Sequence, residues 1–124
     1  MCEAAEFGRL LGFTPGWYTL GIVDDALLER MRVEWDKGED PNTEHYRYGA
    51  FSEFLRAHTL LPPDLALALY ELGASDVDPG MGEAMMANII YRPDCPPAVL
   101  EAAAASGRRH LVRAVERRIR PRHR

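Results

Sequence analysis

Two proline pairs, offset by 34 positions, constrain this chain more than any other feature in it. Leu60-Leu61-Pro62-Pro63 opens an apolar run that closes at Gly73, and Asp94-Cys95-Pro96-Pro97 opens a second that closes at Gly107. Each run is followed by another helix-like segment ending on an Arg-Pro pair, Arg92-Pro93 in the first copy and Arg120-Pro121 in the second. Proline has no amide hydrogen and a fixed φ, so it suits the first turn of a helix and breaks a helix interior. Self-similarity at this period marks stacked helical hairpins, each burying its apolar face against a neighbour.

The remaining segments read the same way. Residues 3–12 carry Ala4, Phe7 and Leu11 at helical spacing before Gly12, whereas 14–21 mixes turn formers and bulky aromatics without a period and reads as a packed loop. Asp24 or Asp25 can cap a helix whose apolar stripe is Leu27, Leu28, Met31 and Trp35, up to Lys37-Gly38. After the polar break at 39–42, Tyr48, Phe51, Phe54, Leu55 and His58 share a face. In the repeat region one helix runs from the Pro62-Pro63 pair to Leu72 with Gly73 as its cap. A second carries Met81, Met85 and Ile89 and halts before Pro93. The last two helices span 96–106, with small residues at Ala102–Ala105, and the stripe Leu111, Val112, Val115, Ile119. No segment alternates with period two. These patterns predict an all-α fold of seven helices, a compact array of antiparallel hairpins. The expected organisation is one domain over 1–124, with N-terminal helices to residue 59, two degenerate repeats over 60–120, and a disordered tail at 121–124.

The repeat also carries a resemblance. Asp94-Cys95-Pro96-Pro97-Ala98-Val99-Leu100-Glu101, followed by Ala104, Gly107, Arg109 and Val112-Arg113-Ala114-Val115, resembles a unit of the variant leucine-rich or HEAT-like helical repeats. The likeness covers residues 60–120. The first copy departs from it in Leu60-Leu61, in an inserted turn at 76–80, and in having no arginine in its second helix. What the resemblance implies is a scaffold that binds proteins or nucleic acids and has no catalytic residues of its own.

Local chemistry points the same way. His45, His58, His110 and His123 do not fall at zinc spacing, and Cys2 and Cys95 form no Cys-x-x-Cys pattern, so neither metal nor cofactor is expected. His58 with Asp64, or His45 with Glu44, could serve acid–base chemistry, but exposed or capping histidines are commoner. Ser52, Ser75 and Ser106 sit in no nucleophile elbow, and Gly73, Gly80 and Gly82 lie among acids that would repel phosphate. The expectation is a protein that is not an enzyme. The acidic N-terminus lacks a signal-peptide order and no apolar stretch reaches membrane-spanning length, which predicts a cytoplasmic protein with no membrane partner. One lysine beside 14 arginines and 16 alanines points to a GC-rich bacterial genome.

Charge divides the chain sharply. Residues 1–107 hold 18 acids against 7 bases, while 108–124 hold 8 arginines against Glu116. The acids concentrate in Asp24, Asp25, Glu29, Glu34, Asp36, Glu39, Asp40 and Glu44, a surface able to steer a basic protein partner. Trp17, Tyr18 and Tyr46 are the nearby aromatics best suited as contact anchors, Trp35 and Tyr48 being expected in the core. The favoured reading is a protein-binding module of inhibitor, immunity or adaptor type. The alternative is a nucleic-acid-binding protein whose Arg109, Arg113, Arg117 and Arg120 line one helix face and neutralise phosphates. It lacks an interleaved aromatic for base stacking. A small enzyme without a recognisable motif is the third possibility.

Overall fold

A computed structural model of the protein describes residues 3–38 and 42–119. Among these residues the fold is all-α, with eight helices and no strand: α1 (Glu3–Leu11), α2 (Pro15–Thr19), α3 (Asp25–Asp36), α4 (Thr43–Ala57), α5 (Pro63–Ala74), α6 (Pro79–Ile90), α7 (Pro97–Ala104) and α8 (Arg109–Ile119). The chain divides into two compact units, Met1–Thr59 and Leu60–Arg124.

In the first unit α1 packs on α3 and α4. The segment expected to be a loop contains α2, which starts on Pro15 and sends Trp17 inward. Five residues are too few to display a helical period, so the pattern could not reveal it. Trp17 meets Phe13 and Phe51 edge-on, with centroids 5.0 and 6.4 Å apart. Asp24 caps α3 by accepting from the Leu27 amide at 2.9 Å, and Asn42 caps α4 by accepting from the Glu44 amide at 2.9 Å.

The buried face of α4 is Tyr46, Arg47, Ala50 and Phe51, rotated from the expected row, and Tyr48 faces solvent. Arg47 takes one of the inward positions. Only 1% exposed, it donates from Nη1 to the Leu11 carbonyl at 2.9 Å and to Thr43 Oγ1 at 3.4 Å. A guanidinium at the C-terminal end of α1 satisfies an orphan carbonyl and opposes the negative end of the helix dipole. Its side chain fills the space beside Gly12, where a Cβ would lie 2.5 Å from Nη1.

In the second unit α6 is central, packing on α5, α7 and α8 and burying Met81, Met85, Met86, Ile89 and Ile90. The proline pairs work alike in both copies. Pro62 and Pro96 take the extended N-cap position, and Pro63 and Pro97 start α5 and α7. The glycines that share the 34-residue offset do not. Gly107 adopts φ +74° after α7, a left-handed conformation that favours glycine, whereas Gly73 lies inside α5, which continues to Ala74 and a Ser75 cap. Gly73 is there for closeness: its carbonyl abuts Gly82 of α6, leaving no room for a Cβ at 82. Of the alanines 102–105, only Ala103 is buried.

The turn between α6 and α7 is a knot of charge. Asp94 accepts from Arg92 through both oxygens, at 2.8 and 3.1 Å, and from the Leu61 amide at 2.8 Å. Arg118 of α8 donates to the Arg92 and Pro93 carbonyls at 3.3 and 2.8 Å. The hydrogen bond from Arg92, opposed by partial burial and helped by the Leu61 amide, lowers the Asp94 pKa to about 2.

A depressed carboxylate pKa stabilises the fold above the unfolded value near 4 and loses that contribution as pH falls towards 2. Acid titration followed by circular dichroism should therefore show the chain losing about 2 kcal/mol across that window through Asp94. Asp94→Asn should be less stable at neutral pH and show a shallower acid limb. Gly82→Ala should cost about 1–3 kcal/mol by overpacking. Gly49→Ala, where a Cβ meets nothing within 4 Å in α4, should gain about 1 kcal/mol, both glycine variants being read by thermal unfolding.

Candidate functional site

Helix α8 is strongly two-sided. Leu111, Ala114 and Val115 are buried, and the arginines separate into two kinds. Arg108, just before the helix, lies 3.7 Å from Glu83, and Arg118 is spent on the carbonyls of the Arg92–Pro93 turn. Arg118 and Ala114 take inward positions that the Val112–Ile119 stripe was expected to fill, and Ile119 is exposed. Arg109, Arg113 and Arg117 stand one turn apart on the solvent side. Among the described residues, none of these three has a carboxylate within 4.0 Å. Arg120 lies outside the described residues.

Beside this row, α6 and α8 bound an open groove of about 390 Å³. Arg113, Arg117 and His110 contribute from α8, with Leu111 and Ala114 beneath them. Glu83, Ala87 and Tyr91 contribute from the α6 side. Positions 83, 87 and 91 share one face because they are four residues apart. Tyr91 ends α6, its amide donating to the Ala87 carbonyl, and the residue is 48% exposed. The groove thus combines guanidinium groups suited to phosphate oxygens with a phenol ring suited to stacking.

Tyr91 was missing from the sequence-based site. Its one local signal is an aromatic placed just before Arg92-Pro93, and its relevance depends on α6 lying beside α8, which no local pattern encodes.

The acidic residues belong to the first unit. Asp24, Asp25, Glu29, Glu34 and Asp36 are exposed on and just before α3, Glu44 is half-buried at the start of α4, and Glu39 and Asp40 lie outside the described residues. Asp36 faces Arg32 at 3.7 Å, and the Arg32 guanidinium lies 4.8 Å over the Phe7 ring. Two of the three expected aromatic anchors are interior groups: Trp17 is 1% and Tyr46 4% exposed. They bury their rings against Phe13, Phe51 and Trp35, which removes more apolar area from water than a surface position would. Tyr18 is half-buried, its hydroxyl lying against Gly8. The apolar group that does accompany these acids is Val33, 60% exposed.

A second groove, of about 280 Å³ between α3 and α4, mixes Arg30, Glu34, His45, Glu53 and Arg56. His45 meets the Tyr46 ring edge-on at 5.4 Å. His58 ends α4, its Nδ1 donating to the Phe54 carbonyl at 2.8 Å and its ring 4.2 Å from that of Phe54. Ser75 and Ser106 donate to the Leu72 and Ala103 carbonyls, as capping serines do. Burial raises the pKa of the Cys95 thiol against the pull of Arg118, and raises that of Tyr70 against the pull of Arg108, so neither is poised to ionise near neutrality. No group of three or more His, Cys, Asp or Glu side chains converges on a metal-sized site among the described residues. No described helix is long and apolar enough to cross a membrane.

Compared with the profiles of known protein families, with curated proteins and with solved structures, the chain matches none of them.

The two kinds of arginine should separate in thermal denaturation. Arg118→Gln removes the charged donor from the Pro93 carbonyl and one of two donors from the Arg92 carbonyl, which keeps the Cys95 amide, and should cost about 1 kcal/mol. Arg109→Gln, Arg113→Gln and Arg117→Gln should each stay within about 0.5 kcal/mol of the parent, as solvent-facing substitutions do.

Proposed function

We propose that the protein is a non-catalytic binding module whose α8 face engages nucleic acid. One observation carries the reading: Arg113 and Arg117, without carboxylate partners among the described residues, share a groove with the exposed ring of Tyr91. A cation row with no carboxylate partner among the described residues leaves its charge for an external anion, and each phosphate it neutralises releases a counterion. Ordinary solvated arginines would give the row alone. The aromatic beside it is what a nucleic-acid surface needs and a solubilising face does not.

A second reading keeps the acidic face of α3 for a basic protein partner, in an inhibitor, immunity or adaptor role. Its support is Val33, an exposed apolar group among Asp25, Glu29 and Asp36, the pairing of charge and apolar contact that protein interfaces use.

The variants Arg113→Gln/Arg117→Gln and Asp25→Asn/Glu29→Gln/Asp36→Asn distinguish the two. In fluorescence anisotropy with a labelled oligonucleotide, the arginine variant should lose binding at least tenfold, and its dependence on log salt should flatten by about 0.7 per phosphate contact removed. The acid-face variant should bind nucleic acid as well as the parent or better. Unchanged binding in the arginine variant would overturn the nucleic-acid reading. A basic protein retained after nuclease treatment, and lost only with the acid-face variant, would put the second reading in its place.

A further inference from the structure

We infer that the α6–α8 groove takes single-stranded nucleic acid, with one unstacked base seated on Tyr91 and neighbouring phosphates held by Arg113 and Arg117. The inference rests on the nucleic-acid reading of α8 and specifies which form of the polymer the site accepts. A row of arginines alone would serve single strands and duplexes equally, since both present phosphates. Tyr91 makes the difference. In a duplex the faces of the bases are covered by their neighbours, so a partly exposed phenol ring finds nothing to stack on. A single strand offers a free π-face at every base.

The groove has the dimensions for this. At about 390 Å³ it falls in the size range of pockets that hold small organic ligands, which one nucleobase fits. Its floor at Ala87, Leu111 and Ala114 is apolar, a surface against which the face of a base can lie. Successive arginines on α8 are separated by about 6 Å of helix rise, the scale of neighbouring phosphates along one strand. Glu83 lies two turns along α6 from Tyr91, with Arg108 3.7 Å away. That pairing neutralises the charge at that end, so the backbone follows the Arg113–Arg117 wall while the base turns towards Tyr91. His110 lines the same wall and adds a ring donor.

The test uses the full chain, a fluorescein-labelled oligothymidylate of about 16 nucleotides, and a labelled duplex of equal length, titrated by anisotropy at several salt concentrations. The parent should bind the single strand more tightly than the duplex. Tyr91→Ala should weaken single-strand binding roughly tenfold with an unchanged salt slope, because stacking releases no counterions. Tyr91→Phe should retain parental affinity, since it keeps the ring. Arg113→Gln should weaken binding and flatten the slope by about 0.7. Thermal denaturation of each variant checks that the fold persists. If Tyr91→Ala binds as the parent does while Arg113→Gln is impaired, or if the duplex binds as tightly as the single strand, the stacking inference falls and the nucleic-acid reading stands. If the parent binds neither probe, both fall.

Discussion

The second unit hangs on one carboxylate. Asp94 receives Arg92 from its own turn and the Leu61 amide from the approach to α5, so a single side chain fixes both the exit of α6 and the start of α5. The proline before Asp94 and the pair after Cys95 cannot donate amide hydrogens, so this stretch has few backbone donors of its own. Side chains complete it: Arg118 supplies the Arg92 and Pro93 carbonyls from α8. Anchoring α8 through Arg118 also sets its rotation. With Leu111, Ala114, Val115 and Arg118 turned inward, Arg109, Arg113 and Arg117 must face solvent, and the groove beside Tyr91 follows.

Arginine does comparable work in the first unit, where Arg47 reaches through the core to the Leu11 carbonyl. An uncompensated charge in that position would be costly, and the hydrogen bonds to helix-end groups offset the cost. The surrounding rings of Phe7, Phe13, Trp17, Trp35, Tyr46 and Phe51 meet edge-on, the arrangement their quadrupoles favour. Building this core consumes Trp17 and Tyr46. The acidic face of α3 is left with charge and Val33 rather than with the large aromatics that dominate protein interfaces.

The helical class and most helix starts were legible in the sequence because they depend on local chemistry: the proline pairs before α5 and α7, and the Asp24 cap of α3. What was not legible depends on contacts between distant residues. The apolar row expected on α4 shares Phe51 with the buried face but misses Tyr46, Arg47 and Ala50, and its Tyr48 faces solvent, because no periodicity rule assigns an arginine to the core. Gly73 read as a helix stop and is instead a close-approach site for α6. At the candidate site, the spacing of Arg109, Arg113 and Arg117 was visible, whereas the separation of Arg108 and Arg118 from them needed their partners Glu83 and the Arg92–Pro93 turn. Tyr91, 18 residues before Arg109 in the chain, became part of the site only when α6 and α8 were seen side by side.

The proposed partner binds along α8 and not along α3. The most direct measurement is a titration of the ¹⁵N-labelled protein with unlabelled single-stranded oligonucleotide, followed by amide chemical shifts. Shifts should concentrate at Tyr91 and from His110 to Arg117, with the amides of α3 unmoved. Shifts confined to α3, or none at any residue at saturating oligonucleotide, would contradict it.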